Sequence, residues 1–285
     1  MAGISTRIGT GPRVGDAVAW TPGVLAPEFW VDATLSAVSG GKLLNIGTGG
    51  TALDAQFGST TGVDTNDPTL LVHSGTNYLY LPGVAGNNAN TPNAAPLQIT
   101  SDIEIVVRAA LDDWTPAAQT KLVAKSTTVG QRAYALSLNT AGRLELALYA
   151  DGTTGTFPLS SIAVPAVDGT PYWIKATWSD TGDVANFYYA ADQATEPTSW
   201  TQLGSANVAA VSAGIFAGTS VLEFGSLGNS AEMMAGKFYR AILRNGIGGT
   251  TVFDADFTRG ITSGGQTTFT ESSSNAATVP VPSEM

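Results

Sequence analysis

Apolar residues in this chain recur at every second position, segment after segment, and turn signals break the pattern roughly every ten residues. Ile103, Ile105, Val107 and Ala109 share one face of a predicted strand, with Glu104 and Arg108 on the other. Leu144, Leu146 and Leu148 alternate with Arg143, Glu145 and Tyr149. Tyr134, Leu136 and Leu138 precede the turn Asn139-Thr140-Ala141-Gly142, so the two segments read as a hairpin. Further strands are expected at 78–81, 121–125, 172–179, 185–190, 221–225, 237–243 and 251–256, all with β-branched or aromatic residues. No long segment holds a 3.6-residue period with caps at its ends. The pattern predicts an all-β chain, for which a two-sheet sandwich is the simplest arrangement. No internal repeat supports a propeller or a solenoid.

The chain has 285 residues, 43% of them hydrophobic, enough for a substantial core. Charged residues make up only 13%, against about 25% in ordinary soluble proteins. Residues 1–69 are expected to form an arm and an extension packed on the sandwich. They open with a Gly-, Thr- and Pro-rich stretch, and then carry a predicted strand at 29–32 and the turn Gly47-Thr48-Gly49-Gly50. A compositional seam at 61–68 (TGVDTNDP) separates them from the regular pattern. Residues 70–260 form the expected sandwich. Residues 261–285, ending in TESSSNAATVPVPSEM, read as a flexible tail.

Charge and residue usage exclude several functions. With 13 basic and 23 acidic side chains the net charge is −10, which disfavours nucleic acid and anionic membranes as partners. Cysteine is absent, so no disulfide framework, thiolate zinc site or thiol nucleophile can form. The one histidine, His73, ends the apolar run Leu70-Leu71-Val72 and reads as structural; any Ser-His-Asp triad would have to use it. The first residues, MAGISTRIGTGPRVGD, show no apolar signal core, and no run reaches the ~18–20 apolar residues of a spanning helix. The expectation is a soluble protein without a visible secretion signal.

Three segments together resemble laminin-G-like, concanavalin A-like sandwiches. The first is the Asp168-Gly169 turn leading into the strand from Tyr172 to Trp178. The second is Asn186-Phe187-Tyr188-Tyr189 followed by Trp200-Thr201-Gln202-Leu203-Gly204, similar to a hairpin of that family. The third is Val252-Phe253-Asp254-Ala255-Asp256-Phe257, similar to a closing strand that pairs back against the first. The stretches from Phe29-Trp30-Val31-Asp32-Ala33 to Gly58, and from Tyr80-Leu81-Pro82-Gly83 to Pro116, resemble minor tail proteins of bacteriophages that infect actinobacteria. The resemblance implies a laminin-G/concanavalin A-like jelly-roll β-sandwich in a virion, assembled in the host cytoplasm. It implies other virion proteins as partners and a homo-oligomer, with a trimer expected from tail-tip symmetry. Membrane insertion is not expected.

The same fold hosts glycosidases, which need two carboxylates flanking the scissile bond. The Glu-x-Asp-x-x-Glu pattern of its glucanases is absent; Asp102-x-Glu104 and Asp254-x-Asp256 come nearest. Glu104 is expected to pair with Arg108, and Arg259 lies near the second pair. No nucleophile elbow, P-loop or dinucleotide fingerprint occurs. No catalytic residue is therefore assigned. Calcium is the one cofactor considered, with Asp64, Asn66 and Asp67 as candidate ligands and Asp112-Asp113 as a second group, though these are also ordinary turn formers. Trp114 and Trp200 lie outside the clear strands and are the candidate platforms for a host cell-envelope glycan. The expected function is a non-enzymatic minor tail protein, tail tip or fibre. The alternatives are a capsid decoration protein and a glycan-cleaving depolymerase.

Overall fold

The computed structural model describes residues 76–228 and 231–258 in full, together with the backbone of six outlying strands. The predicted strand at 29–32, the seam at 61–68 and Arg259 lie outside the described residues. The outlying strands are β1 (Val38–Ser39), β2 (Lys42–Leu43), β3 (Ala55–Phe57) and β4 (Thr69–His73) before the described body, and two after it. In chain order there follow β5 (Thr76–Pro82), β6 (Ala89–Thr91), β7 (Ile103–Leu111), β8 (Thr120–Lys125), β9 (Tyr134–Leu138) and β10 (Leu144–Tyr149). Next come β11 (Gly155–Thr156), β12 (Tyr172–Ser179), β13 (Val184–Ala191), β14 (Thr201–Gln202) and β15 (Asn207–Val208). The series ends with β16 (Leu222–Phe224), β17 (Ala235–Asn245), β18 (Thr250–Asp256), β19 (Thr268–Thr270) and β20 (Thr278–Pro280).

The strands form two antiparallel sheets, an all-β sandwich of the jelly-roll kind. The first runs β1-β2-β3-β6-β16-β8-β9-β10-β11. The second runs β14-β13-β12-β7-β17-β5-β4, with β15 also on β13 and β18 also on β17. Strands β19 and β20 pair with each other. The predicted hairpin is present, with Leu144 opposite Leu138 and Leu146 opposite Leu136. So is the β13–β14 pairing that the laminin-G resemblance implied, with Tyr188 opposite Gln202. The third resembling segment forms β18. Among the described residues it pairs with β17, because the short Asn245–Gly249 turn folds it straight back, held by Gly246 N–H donating to Asp102 O at 2.8 Å.

The core lies between the sheets because each strand turns its apolar face inward. Ile103, Ile105 and Val107 meet Leu136, Leu146 and Leu148 there, and Trp178 is fully buried among them. Aromatic rings join the layers: Phe224 stacks on Phe253 at 5.3 Å, and Phe238 meets Phe224 at 5.8 Å and Phe257 at 5.9 Å. Such pairs each add about 1 kcal/mol beyond the area they bury. Gly236 lets β17 pass close to β7: its φ is +138°, and a Cβ there would lie 2.3 Å from Ala110 O.

Bulges change which residues face in. β8 carries one between Lys121 and Val123. Leu122 and Val123 therefore both enter the core, and Lys125 follows them inward while Lys121 stays outside. Lys125 is 0% exposed. Its Nζ donates to Gly218 O at 2.6 Å, Ser220 O at 2.7 Å and Asn93 Oδ1 at 2.7 Å. Burial pushes its pKa down to about 8.

Candidate functional site

The outer face of the second sheet is where the polar positions of its strands collect. Neighbouring strands place Glu104, Val106 and Arg108 beside Trp173, Lys175 and Thr177, and these beside Ala190, Tyr188 and Asn186. At the centre Val106, Trp173 and Ile242 form a small apolar pad, buried although it faces away from the core. The segment 192–200 covers it. Trp173 Nε1 donates to Gln193 O at 3.0 Å. Arg108 donates both Nε and Nη2 to Asp192, at 2.7 and 3.0 Å. Arg244 joins strand to segment, donating to Glu104 on β7 and to Glu196 above it. Hydrogen bonds from the guanidinium to Glu196 and Glu104 hold the Arg244 pKa above its ordinary value.

At the β13 edge the covering segment ends in Trp200, which packs half-buried against the pad. Lys175 Nζ lies 4.5 Å from the Trp200 ring centroid and 4.9 Å from that of Tyr188. Beside them Gln202 Nε2 donates to Asn186 Oδ1 at 3.0 Å. The register explains the cluster, since Tyr188 stands opposite both Lys175 and Gln202. Burial lowers the Lys175 pKa, and the charges of Glu104 and Glu196 oppose the shift. The strip therefore offers two ring surfaces, two side-chain amides and an ammonium within one cross-strand row and its neighbour.

Of the two tryptophans chosen from sequence, Trp200 belongs to this strip and Trp114 does not. Trp114 is 2% exposed. It packs edge-on against Tyr172 at 5.8 Å, and its backbone N–H donates to Asp168 Oδ1 at 2.8 Å. Its loop folds over the end of the sandwich and carries the indole into the core, so the ring has no surface to offer a ligand. No local sequence signal marks Lys175, Asn186, Tyr188 or Gln202 as site residues. Alternation alone turns Lys175 away from the core, but its meeting with Tyr188 depends on the pairing of β12 with β13.

The carboxylate pairs are held in structural networks. Glu104 is bound by Arg244 rather than by the expected Arg108, which the covering segment draws to Asp192. Asp102 Oδ1 accepts from Asp180 N–H at 2.7 Å. Asp254 takes two hydrogen bonds from Arg240, at 2.7 and 2.6 Å. Asp256 accepts from Thr258 N–H at 3.1 Å and lies 3.7 Å from Arg240. Asp64, Asn66 and Asp67 lie outside the described residues, as does the side chain of His73. Asp113 accepts from Thr115 N–H at 2.7 Å, as a turn former does. Among the described residues no group of three or more His, Asp or Glu could hold a metal ion.

No protein-family model matches the chain, and no curated protein does. Solved structures give distant likenesses. A SAP-like pentraxin from Limulus polyphemus is 11% identical over 62% of this chain and 79% of its own, with a TM-score of 0.42. The CBM40 of the Ruminococcus gnavus IT-sialidase, bound to α2,3 sialyllactose, is 13% identical over 58% of this chain and 90% of its own, with a TM-score of 0.39. A putative carbohydrate binding protein from Bacteroides ovatus is 10% identical over 76% of this chain and 61% of its own, with a TM-score of 0.44. Likenesses this distant leave the site to be read from its own residues. Those residues define an antiparallel β-sandwich with an aromatic, amide-bearing strip on one outer face.

Proposed function

We propose that this protein is a non-enzymatic glycan-contacting module of a virion, in the position of a minor tail protein. One observation carries the glycan contact: Trp200 and Tyr188 are half-buried beside the Asn186–Gln202 amide pair and the Lys175 ammonium. Ring faces pack against the C–H faces of a sugar, and paired amides fix its hydroxyls, which is the composition of a small-molecule site with few, placed polar groups. The virion placement rests on the sequence resemblance of the stretches beginning at Phe29 and Tyr80. Multimeric assembly, with a trimer as the simplest tail-tip arrangement, goes with that placement.

Binding of the labelled protein to host cells tests the glycan contact. Trp200→Ala and Tyr188→Ala are each expected to weaken binding by about tenfold or more, while Trp114→Phe, in the interior, leaves it unchanged. Equal binding by all three variants would remove the strip from the reading. EDTA sensitivity would add calcium. Release of reducing sugar that Asp254→Asn or Glu104→Gln abolishes would turn the binder into a depolymerase. Immunogold labelling of virions separates tail from capsid.

A further inference from the structure

Lys175 differs from the other cations around it. Arg108 is paired with Asp192, Arg240 with Asp254 and Asp256, Arg244 with Glu104 and Glu196, and Lys121 with Glu232. Lys125 spends all three donors inside the core. Lys175 is half-buried between two rings, and among the described residues its Nζ has no hydrogen bond or ion pair. A ring face attracts a cation without accepting its N–H donors as an oxygen does. Lys237 and Arg132 also lie near rings, at 5.4 and 5.7 Å, but each has one ring, and both rings, of Tyr78 and Tyr149, are buried.

From this juxtaposition we infer that the glycan taken by the strip is anionic, its charged group received by Lys175 while Trp200 and Tyr188 carry the adjoining ring. The inference rests on the glycan-contact reading and narrows it. The three free donors fit an oxygen anion, whether carboxylate, sulfate or phosphate ester. A hydrogen bond between charged partners is worth about twice a neutral one, so an anion gains more from this ammonium than a hydroxyl does. The rings and the covering segment have already removed part of the water around Nζ, so less remains to be displaced on binding. The protein as a whole carries −10 and does not draw anions from a distance. The preference therefore belongs to slow dissociation rather than fast association.

The test is a panel of immobilised oligosaccharides that includes neutral, carboxylated, sulfated and phosphorylated members, with methyl esters of the carboxylated ones, probed with the full chain. The expected result is retention on anionic members, lost on esterification. Lys175→Gln is expected to weaken that retention about tenfold, Lys175→Arg to keep most of it, and Trp200→Ala to weaken binding to every member. Which anion binds best identifies the group. Retention confined to neutral members, or anionic binding untouched by Lys175→Gln in a variant with the parent's melting temperature, overturns the inference and leaves glycan contact standing. Absence of retention on every member, together with absence of binding to host cells, overturns both.

Discussion

Replacing Arg244 with Met is expected to cost about 4 kcal/mol of stability and to take glycan binding with it. Arg244 holds two carboxylates at once, Glu104 on β7 and Glu196 in the covering segment. The Glu104 side chain is only 6% exposed. Removing its partner leaves a charge in a place water reaches poorly, and breaking such a pair costs about 3–5 kcal/mol. The same change unfastens the segment that carries Trp200, so host-cell binding falls along with the urea midpoint. Arg244→Lys does not restore the arrangement, since a lysine lacks the planar fork that serves two carboxylates. The double variant Arg244→Met with Glu104→Met is expected to recover much of the stability, because it removes the stranded charge. It does not recover the binding, because Glu196 still lacks its anchor. A loss below about 1 kcal/mol in Arg244→Met would place the ion pairs in the solvent-screened class.

Lys125→Met is expected to destabilise the fold by about 3 kcal/mol at neutral pH, read from chemical denaturation. The ammonium satisfies the carbonyls of Gly218 and Ser220, which Met leaves without a donor. An orphaned buried acceptor costs about 1–3 kcal/mol. Part of that is offset because the variant no longer buries a charge. Asn93 Oδ1 suffers less, since Gln98 Nε2 also donates to it at 3.4 Å. The pH dependence has a definite sign. The folded pKa, about 8, lies below the ordinary 10.5, so the unfolded chain binds the extra proton between those values. Wild-type stability contributed by this group therefore rises as pH increases from about 8 towards 10.5. Lys125→Met lacks the rise. A flat difference between the two proteins from pH 7 to pH 9.5, the alkaline arm being about as far as tyrosine ionisation allows, would show that Lys125 titrates normally and that the cage is open to water.

The strand pattern was legible because burial of one face leaves a period of two in the sequence. β12 begins and ends where its alternation and turn signals predicted, at Tyr172 and Ser179. The inward face of β7 is the predicted set Ile103, Ile105, Val107 and Ala109. Trp200 could be singled out for a similar reason, as a large aromatic outside the alternating runs. Trp114 has the same character in the sequence, and the fold separates the two by laying the 112–116 loop across the end of the sandwich, with the indole buried against Tyr172.

Local sequence thus determined the long strands, the inward faces of unbulged ones such as β7 and β12, the Asn139–Gly142 hairpin turn and the exclusion of thiol chemistry. Pairing across the sheets decided the rest. Strict alternation over Thr120–Lys125 would put Lys121 and Lys125 on one face; the bulge between Lys121 and Val123 sends one outward to Glu232 and the other into the core. Glu104 has Arg108 on its own strand, yet its partner is Arg244, 140 positions away. Lys175 meets Tyr188 through the β12–β13 register and Trp200 through a segment that folds back over the sheet. A period of two records which way a side chain points; which side chains then stand beside it is set by register, bulges and covering loops, contacts between residues far apart in the chain that no local pattern contains.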